Sequence, residues 1–393
     1  MMGKYDVKKL VIPPDKKEIL SQIDNRFLTR YSNELPKLNR EQRTEKAEEL
    51  IKKEIERNVH LTKKDTGRFM GYIAGYGLID PLLMDDEIEE VLINGADVPV
   101  MIYHRELGKC VTNLKFKDDA ELSELVDKIM IFSGVAKKDA LVDAVLPDGP
   151  RVNLTLPPVA FRRPTVTIRK YLENPPSMVD LIKNDTMSSD MAALLWMCVD
   201  GFGYAARNIL VTGGTSSGKT TFLNALLPFT REHERIVSIE DTLELDLSYC
   251  PDWVRTTTTE EVDMEKLVQN SLRLRPDRVI VGEVRGPEAF NLINAMNLGH
   301  TGMGTIHADS SRDAILKLSN PPMNVDNKML VVLDMIVVVN RFHEGRISKR
   351  RVTSITEVGG MMEDKIQLGS VYGYNAKNRR TEFEKFPAVT MNK

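Results

Sequence analysis

Apolar residues along the chain change period several times, and each change predicts an element. Three consecutive apolar residues at 209–211 predict a short buried strand, and Phe222, Leu223, Ala225 and Leu226 behind it return at helical spacing. Strand-like runs at 235–241, 253–257 and 278–285 alternate with helical patterns at 189–199, 263–273 and 287–298. That alternation belongs to an α/β domain with a parallel sheet. The first part of the chain reads differently. A polar leader up to Asn39 precedes a charged helix at 40–58 whose apolar residues Ala47, Leu50, Ile51 and Ile55 form one stripe. A further helix around 69–74 ends near Gly77, and strands follow from Val91 through the Asn94-Gly95 turn signal, at 99–104 and at 111–116. A helix at 122–131 and two alternating strands within 148–171, joined by a proline-rich turn, complete a mixed α+β domain. Glu173-Asn174-Pro175-Pro176 breaks the pattern and places a boundary between 174 and 185. The expected division is a leader and helix over 1–60, an α+β N-terminal domain over 61–178 and an α/β domain over 179–393.

Composition narrows the function. A chain of 393 residues with 42% hydrophobic and 28% charged residues is that of ordinary globular domains. A net charge of −3 supplies no basic field for nucleic acid. Cys110, Cys198 and Cys250 lie far apart, which suits a reducing cytoplasm and excludes a four-cysteine zinc module. The first residues lack the apolar core of a signal peptide, and the most apolar stretch, 329–339, is eleven residues long with Asp334 inside it. Any membrane association is therefore expected to be peripheral, from the cytoplasmic side.

Candidate chemistry begins behind the 209–211 strand. The segment Gly213-Gly214-Thr215-Ser216-Ser217-Gly218-Lys219-Thr220-Thr221 has the G-x-x-x-x-G-K-T form of a phosphate-binding loop, in the strand–turn–helix context such a loop needs. Glycines let the backbone curl around an anion, and the helix N-terminus adds its positive dipole end. Lys219 is expected on the β- and γ-phosphates of ATP, and the Thr220 hydroxyl on Mg²⁺. The 235–241 strand delivers Glu240 and Asp241 at its C-terminal end, where ligands of parallel sheets sit, with Glu244 close behind. The run 278–285 ends in Gly282-Glu283-Val284-Arg285, a Walker B pattern with glycine where a metal-facing aspartate is usual. Glu240 or Asp241 is then the expected metal-facing carboxylate, and Glu283 the group that orients or deprotonates water. His300 and His307 flank a glycine-rich strand with no cysteine near them, so zinc is a poor fit and His307 reads as a phosphate sensor. His104 stands at a strand end without a second ligand at metal spacing. Arg151 and Arg169 lie on the two strands before the boundary, placed to deliver guanidinium groups to a phosphate. For Arg162 and Arg163 a solvated strand face is an equal reading.

The loop at 213–220, the box Ile239-Glu240-Asp241-Thr242-Leu243-Glu244, the Gly-Glu pair with Arg285, and the box 299–310 resemble, in order and spacing, the type II/type IV secretion ATPase superfamily. The form Gly-His-Thr-Gly-Met-Gly-Thr-Ile-His-Ala-Asp-Ser with Asn320-Pro321-Pro322-Met323-Asn324-Val325 looks most like its archaeal branch, which includes the archaellum motor. The resemblance is strong over 145–358 and weak before Asn58. It implies a RecA-like C-terminal domain, a PAS-like N-terminal domain and a homo-hexameric ring. It implies nucleotide held between the domains, and partners in a polytopic membrane platform protein and a filament or secretion machinery. By matching positions it implies Lys219 and Thr220 on phosphate and Mg²⁺, Glu240 as the acidic-box residue, Glu283 as general base, His307 as the histidine-box residue, and Arg151 and Arg169 as arginines brought by the N-terminal domain.

Three functions are compatible with a phosphate loop on such a domain. A motor coupling ATP hydrolysis to filament assembly, rotation or protein export uses every motif. A RecA-type nucleic-acid translocase lacks its basic channel, and a nucleotide-gated scaffold has no need of carboxylates at 240 and 283. If the first reading holds, Arg169→Ala weakens ATP hydrolysis without unfolding the C-terminal domain. A wild-type rate of phosphate release from that variant in the assembled ring excludes the cross-domain arginine.

Overall fold

The computed structural model describes residues 3–57, 62–136, 139–170, 175–259, 261–344 and 347–387. The chain divides into two compact units, Met1–Leu172 with Gly345–Ser348, and Glu173–Glu344 with Lys349–Lys393. The predicted break at Glu173 and Asn174 lies outside the described residues.

The first unit opens with β1 (Gly3–Tyr5), α1 (Lys17–Tyr31), α2 (Arg40–Arg57), α3 (Lys63–Ile73) and the single turn α4 (Asp80–Leu83). Residues 17–31, part of the polar leader in sequence terms, form a helix because Leu20, Ile23, Phe27 and Tyr31 recur at helical spacing and are all buried. The stripe of α2 packs as its spacing predicts: Ala47 and Ile51 are buried, with Leu50 and Ile55 against the same core. A capping box between Thr62 and Asp65 starts α3. Next come β2 (Ile88–Ile93), β3 (Pro99–His104), β4 (Gly108–Lys115), α5 (Asp119–Ser133), β5 (Leu141–Val145), β6 (Arg151–Thr155) and β7 (Thr165–Arg169). The Asp118 carboxylate caps the first turn of α5, and Gly134 in the left-handed region ends it. The seven strands form one sheet in the order β1-β4-β3-β2-β7-β6-β5. Fully buried Arg43 ties the helices to the turn before β6. It donates to the carbonyls of Ala74 at 3.0 Å and Leu38 at 2.9 Å, and to Asp148 at 2.5 Å.

The second unit runs α6 (Met178–Lys183), α7 (Ser189–Asp200), β8 (Ile209–Thr212), α8 (Lys219–Leu226), β9 (Ile236–Glu240), β10 (Trp253–Thr257), α9 (Met264–Ser271), β11 (Arg278–Val284), α10 (Glu288–Asn297), β12 (Thr301–Ile306), α11 (Ser311–Ser319) and α12 (Asn327–Leu330). Four strands complete the unit: β13 (Met335–Glu344), β14 (Ile347–Met362), β15 (Lys365–Asn375) and β16 (Arg380–Phe383). Its nine-stranded sheet has the order β10-β9-β11-β12-β8-β13-β14-β15-β16. From β10 to β13 every neighbouring pair is parallel, and β15 is antiparallel to both β14 and β16. Alternation decides which core each residue joins. Ile209, Val211 and Ile280 face one cluster with Phe222 and Leu195, while Leu210, Val279 and Val281 face the other with Leu292 and Val268. Both faces are covered by helices, which is why the parallel strands read as unbroken apolar runs. The result is an α/β fold with a RecA-like P-loop domain and an α+β N-terminal unit that includes the leading helices. Among the described residues no helix is long and apolar enough to cross a membrane.

Because Phe27 is fully buried in the core of the first unit, Phe27→Ala lowers that unit's stability by about 3 kcal/mol, measured by urea unfolding. An unchanged midpoint would mean that α1 is not part of the core.

Candidate active site

Parallel pairing fixes the site before any side chain is considered. Thr212 is level with Ile306, Val281 with both Ile239 and Gly304, and β9 ends at Glu240. The residues that follow each strand therefore meet at one sheet edge: the loop from Gly213, the acids Glu240 and Asp241, the pair Glu283 and Arg285, and His307. The β11–β12 register shifts between Val281 and Val284, so Gly282 and Glu283 sit in an irregularity that re-aims the glutamate. The Thr305 hydroxyl holds the displaced Gly282 carbonyl at 2.7 Å.

The loop itself admits few substitutions. A Cβ on Gly213 would meet the Val339 carbonyl oxygen at 2.1 Å. Ser216 and Gly218 adopt φ of 57° and 91°, in the left-handed region that L side chains seldom occupy. Gly218 caps α8, and Lys219 and Thr220 occupy its first turn. Thr215 is exposed, Thr220 and Thr221 are half-buried, and Ser217 is buried with its hydroxyl unpaired.

Around this loop the ionic side chains form a continuous series. Lys219 Nζ lies 3.2 Å from the Gly214 carbonyl and 3.1 Å from His307 Nδ1. His307 Nε2 is at ion-pair distance, 2.8 Å, from Glu283 Oε1, and that oxygen makes no hydrogen bond. Arg285 Nη2 donates to Glu283 Oε2 at 2.6 Å, and Arg285 Nη1 lies 3.9 Å from Asp241. Burial pushes the Glu283 carboxyl up, but the Arg285 hydrogen bond and the charges of Arg285, His307 and Lys219 outweigh it, and the net shift is downward. Burial and the Lys219 charge hold the His307 imidazolium below its ordinary 6.5 against the pull of Glu283. Near neutral pH the ring is uncharged, with Nδ1 placed to accept from Lys219.

Glu240 has a different place. Its Oε2 accepts from the backbone N–H groups of Glu244 at 2.6 Å and Leu245 at 2.7 Å, and Arg255 Nε lies 3.5 Å from Oε1. Its burial raises its pKa in spite of those partners. Its Cγ would stand 3.2 Å from a Cβ on Gly282, so the space an aspartate would fill at 282 is taken by Glu240. Of the two acids proposed for a metal, Glu240 is thus turned to shaping the 241–245 loop, and the half-exposed Asp241, held at 3.2 Å by Thr258, is the more open. His300 is separated from His307 by the length of β12 and contacts the Pro276 carbonyl at 2.7 Å. His104 ends β3, where Nδ1 accepts from the N–H groups of Glu106 and Leu107.

Arg151 and Arg169 belong to the first unit, where they are directly opposite each other on β6 and β7, both exposed on the face away from Val152 and Ile168. Arg163 donates to the Ala96 carbonyl at 2.6 Å, and Arg162 lies over the Phe161 ring. Sequence reasoning missed Arg255, the partner of Glu240, and Arg350, whose Nε donates to the Ser216 carbonyl at 3.3 Å. Arg350 sits in the basic run 349–351, the only signal that marked it.

A phosphate group fits this cradle. Among the described residues five buried side-chain oxygens lack a hydrogen-bond partner, and four of them, on Ser217, Glu240, Thr242 and Glu283, lie on the P-loop or the strand ends beside it. Unpaired buried polar atoms are rare in native structures; the Ser217 and Thr242 hydroxyls can donate to phosphate oxygens, whereas the Glu240 and Glu283 oxygens are acceptors that suit a cation or a water. The oxygen donors Thr220 and Asp241 suit Mg²⁺. Among the described residues no group of three or more His, Cys, Asp or Glu side chains forms a metal cage, so such an ion would draw its other ligands from phosphate and water.

Fold and site together define a P-loop α/β protein with an acidic, histidine-containing sheet edge. Residues 74–359 match the family described as type II/IV secretion system protein, and the chain belongs to that family. It is 42% identical over 241 residues to an uncharacterised protein of Methanocaldococcus jannaschii, covering 58% of this chain and 33% of that relative. The chain thus spans about a third of the length of that curated relative. It is 32% identical over 300 residues to the probable conjugal transfer protein TrbB of Sinorhizobium fredii, covering 73% of this chain and 88% of the relative. The ATPase DotB of Legionella pneumophila shares the fold, with a TM-score of 0.52 and 15% identity over 75% of this chain and 80% of that one.

A titration of His307 tests this electrostatic arrangement. By NMR the ring titrates below its ordinary 6.5, and Lys219→Met moves it upward, because a neighbouring cation is removed. Since the folded value is the depressed one, the stability linked to His307 is present above 6.5 and is lost as pH falls through the folded value. A ring that titrates above 6.5 in the wild type contradicts the arrangement.

Proposed function

We propose that the chain is a motor ATPase that binds ATP at Gly213–Thr221 and couples its hydrolysis to assembly or rotation of a type IV pilus-like or archaellum filament, or to protein export. The reading rests chiefly on one observation, the series Lys219, His307, Glu283, Arg285 and Asp241 assembled at the strand ends beside the P-loop. Membership of the secretion family supports it. The histidine-box form at 299–310 favours the archaeal branch. A homo-hexamer working against a membrane platform protein, from the cytoplasmic side, is part of the same proposal.

Each side chain has a role in it. Lys219 exchanges the Gly214 carbonyl and His307 for phosphate oxygens. Thr220 and Asp241 hold Mg²⁺, which when bound neutralises charge on the phosphates. Glu283, ionised at neutral pH, uses its unsatisfied Oε1 to orient the attacking water and receive its proton. His307, released by Lys219, donates from its ring toward the terminal phosphate. Arg285 holds Oε2 of Glu283 and so fixes which oxygen faces the water. Glu240 keeps the 241–245 loop in place and Asp241 with it. Arg151 and Arg169, from the first unit, supply the positive charge that completes the site when the units close.

Glu283→Gln keeps the shape and removes the base. The expected result is a fall in kcat of about 10²–10⁴ with KM for ATP little changed, measured by phosphate release. A kcat within tenfold of wild type removes Glu283 from the role. A wild type that binds ATP without releasing phosphate is the scaffold instead, and stimulation by DNA but not by lipid or a membrane partner makes it a translocase.

A further inference from the structure

The P-loop is held from behind by a side chain far away in sequence. Arg350, on β14 and 134 residues beyond Ser216, donates from Nε to the Ser216 carbonyl at 3.3 Å. Its Cδ lies 3.1 Å from the point where a Cβ on Gly218 would stand. One side chain therefore backs both left-handed residues of the loop, Ser216 and Gly218. It reaches them from a strand that no motif in the sequence connects to nucleotide.

The geometry of the peptide bond gives this contact a direction. A trans peptide is planar, so the carbonyl of one residue and the N–H of the next point to opposite sides. Holding the Ser216 carbonyl toward β14 turns the Ser217 N–H the other way, into the loop. There it meets the Gly214 carbonyl at 3.4 Å, a long bond much like the 3.3 Å Arg350 contact itself. That carbonyl also receives Lys219 Nζ at 3.2 Å. A phosphate oxygen in the loop would replace the Gly214 carbonyl as partner for both donors. The guanidinium adds a second cation to a loop built to receive an anion.

We infer that Arg350 is a positioning residue that locks the Ser216–Ser217 peptide with its N–H toward the phosphates, so that nucleotide meets a loop already in its binding form. The inference rests on the ATPase reading above. Preorganisation of this kind acts on binding more than on the chemical step.

Two substitutions separate the donor from the stem. Arg350→Met keeps the apolar stem against Gly218 and loses the donor, whereas Arg350→Lys keeps a donor able to reach the carbonyl. The expected outcome for Arg350→Met is a KM for ATP raised about tenfold with kcat changed by less than about threefold. Hydrogen exchange of the 213–219 amides without nucleotide should be faster in that variant. Arg350→Lys should restore both readouts most of the way. Wild-type KM and wild-type loop exchange in Arg350→Met overturn the inference, as does a parallel fall of kcat, KM-independent and matched by a lowered Tm, which is the mark of a purely structural contact. A wild-type protein that binds no ATP overturns the functional reading and this inference with it. That failure is distinguishable because it is seen in the unsubstituted chain.

Discussion

The hydrogen-bond ladder through β9, β11, β12, β8 and β13 is the constraint on which the site depends. Because these strands are parallel, with a single register shift between β11 and β12 after Val281, their carboxyl ends lie at one edge. Residues separated by up to about ninety positions are brought within ion-pair distance with little assistance from their own loops. Rigidity matters here as much as proximity. Both faces of the sheet are packed, so a charge at the edge is held by a framework that does not relax around it. Free energy spent on keeping unlike groups close is then available to the reaction instead of being lost to reorganisation.

Within that framework the charged groups are unequally satisfied. Lys219 lies against the Gly214 carbonyl and the His307 ring. Glu283 is held by Arg285 through one oxygen while the other goes unsatisfied. Each arrangement is tolerable only because the surrounding core over-determines it. The opposite treatment is given to Glu240, whose carboxylate spends its capacity on two backbone N–H groups. Two acids of the same kind at neighbouring strand ends thus do different work, one shaping a loop and one left partly open.

Much of this was legible in the sequence. The P-loop motif, the apolar strand runs and the acids after them were local patterns, and local patterns survive folding. The apolar stripe of α2 was legible for the same reason. The helix at 17–31 was not, because its four core residues are diluted among charged ones and carry no cap that a reader would notice. Nor could the direction of Glu240 be read, since it depends on the absence of a side chain at Gly282, on the next strand. Arg350 and Arg255 escaped because a basic residue on a strand looks the same whether it meets water or a loop carbonyl. The strand expected between His300 and His307 is there, as β12, and keeps the two rings apart.

One element reaches well beyond the site. β14 runs from Ile347 to Met362, and from Arg350 to its far end the rise is roughly 40 Å at about 3.3 Å per residue. At that end a tight hairpin through Glu363 and Asp364, both at positive φ, turns the chain into β15. The strand is held between β13 and β15, and its pairing with β15 slips at Ile355/Thr356 and again at Val358/Gly360. Half-exposed and exposed methionines, Met361 and Met362, ride on the hairpin tip. A single piece of chain therefore joins the side chain that touches the Ser216 carbonyl to an exposed methionine at its far end.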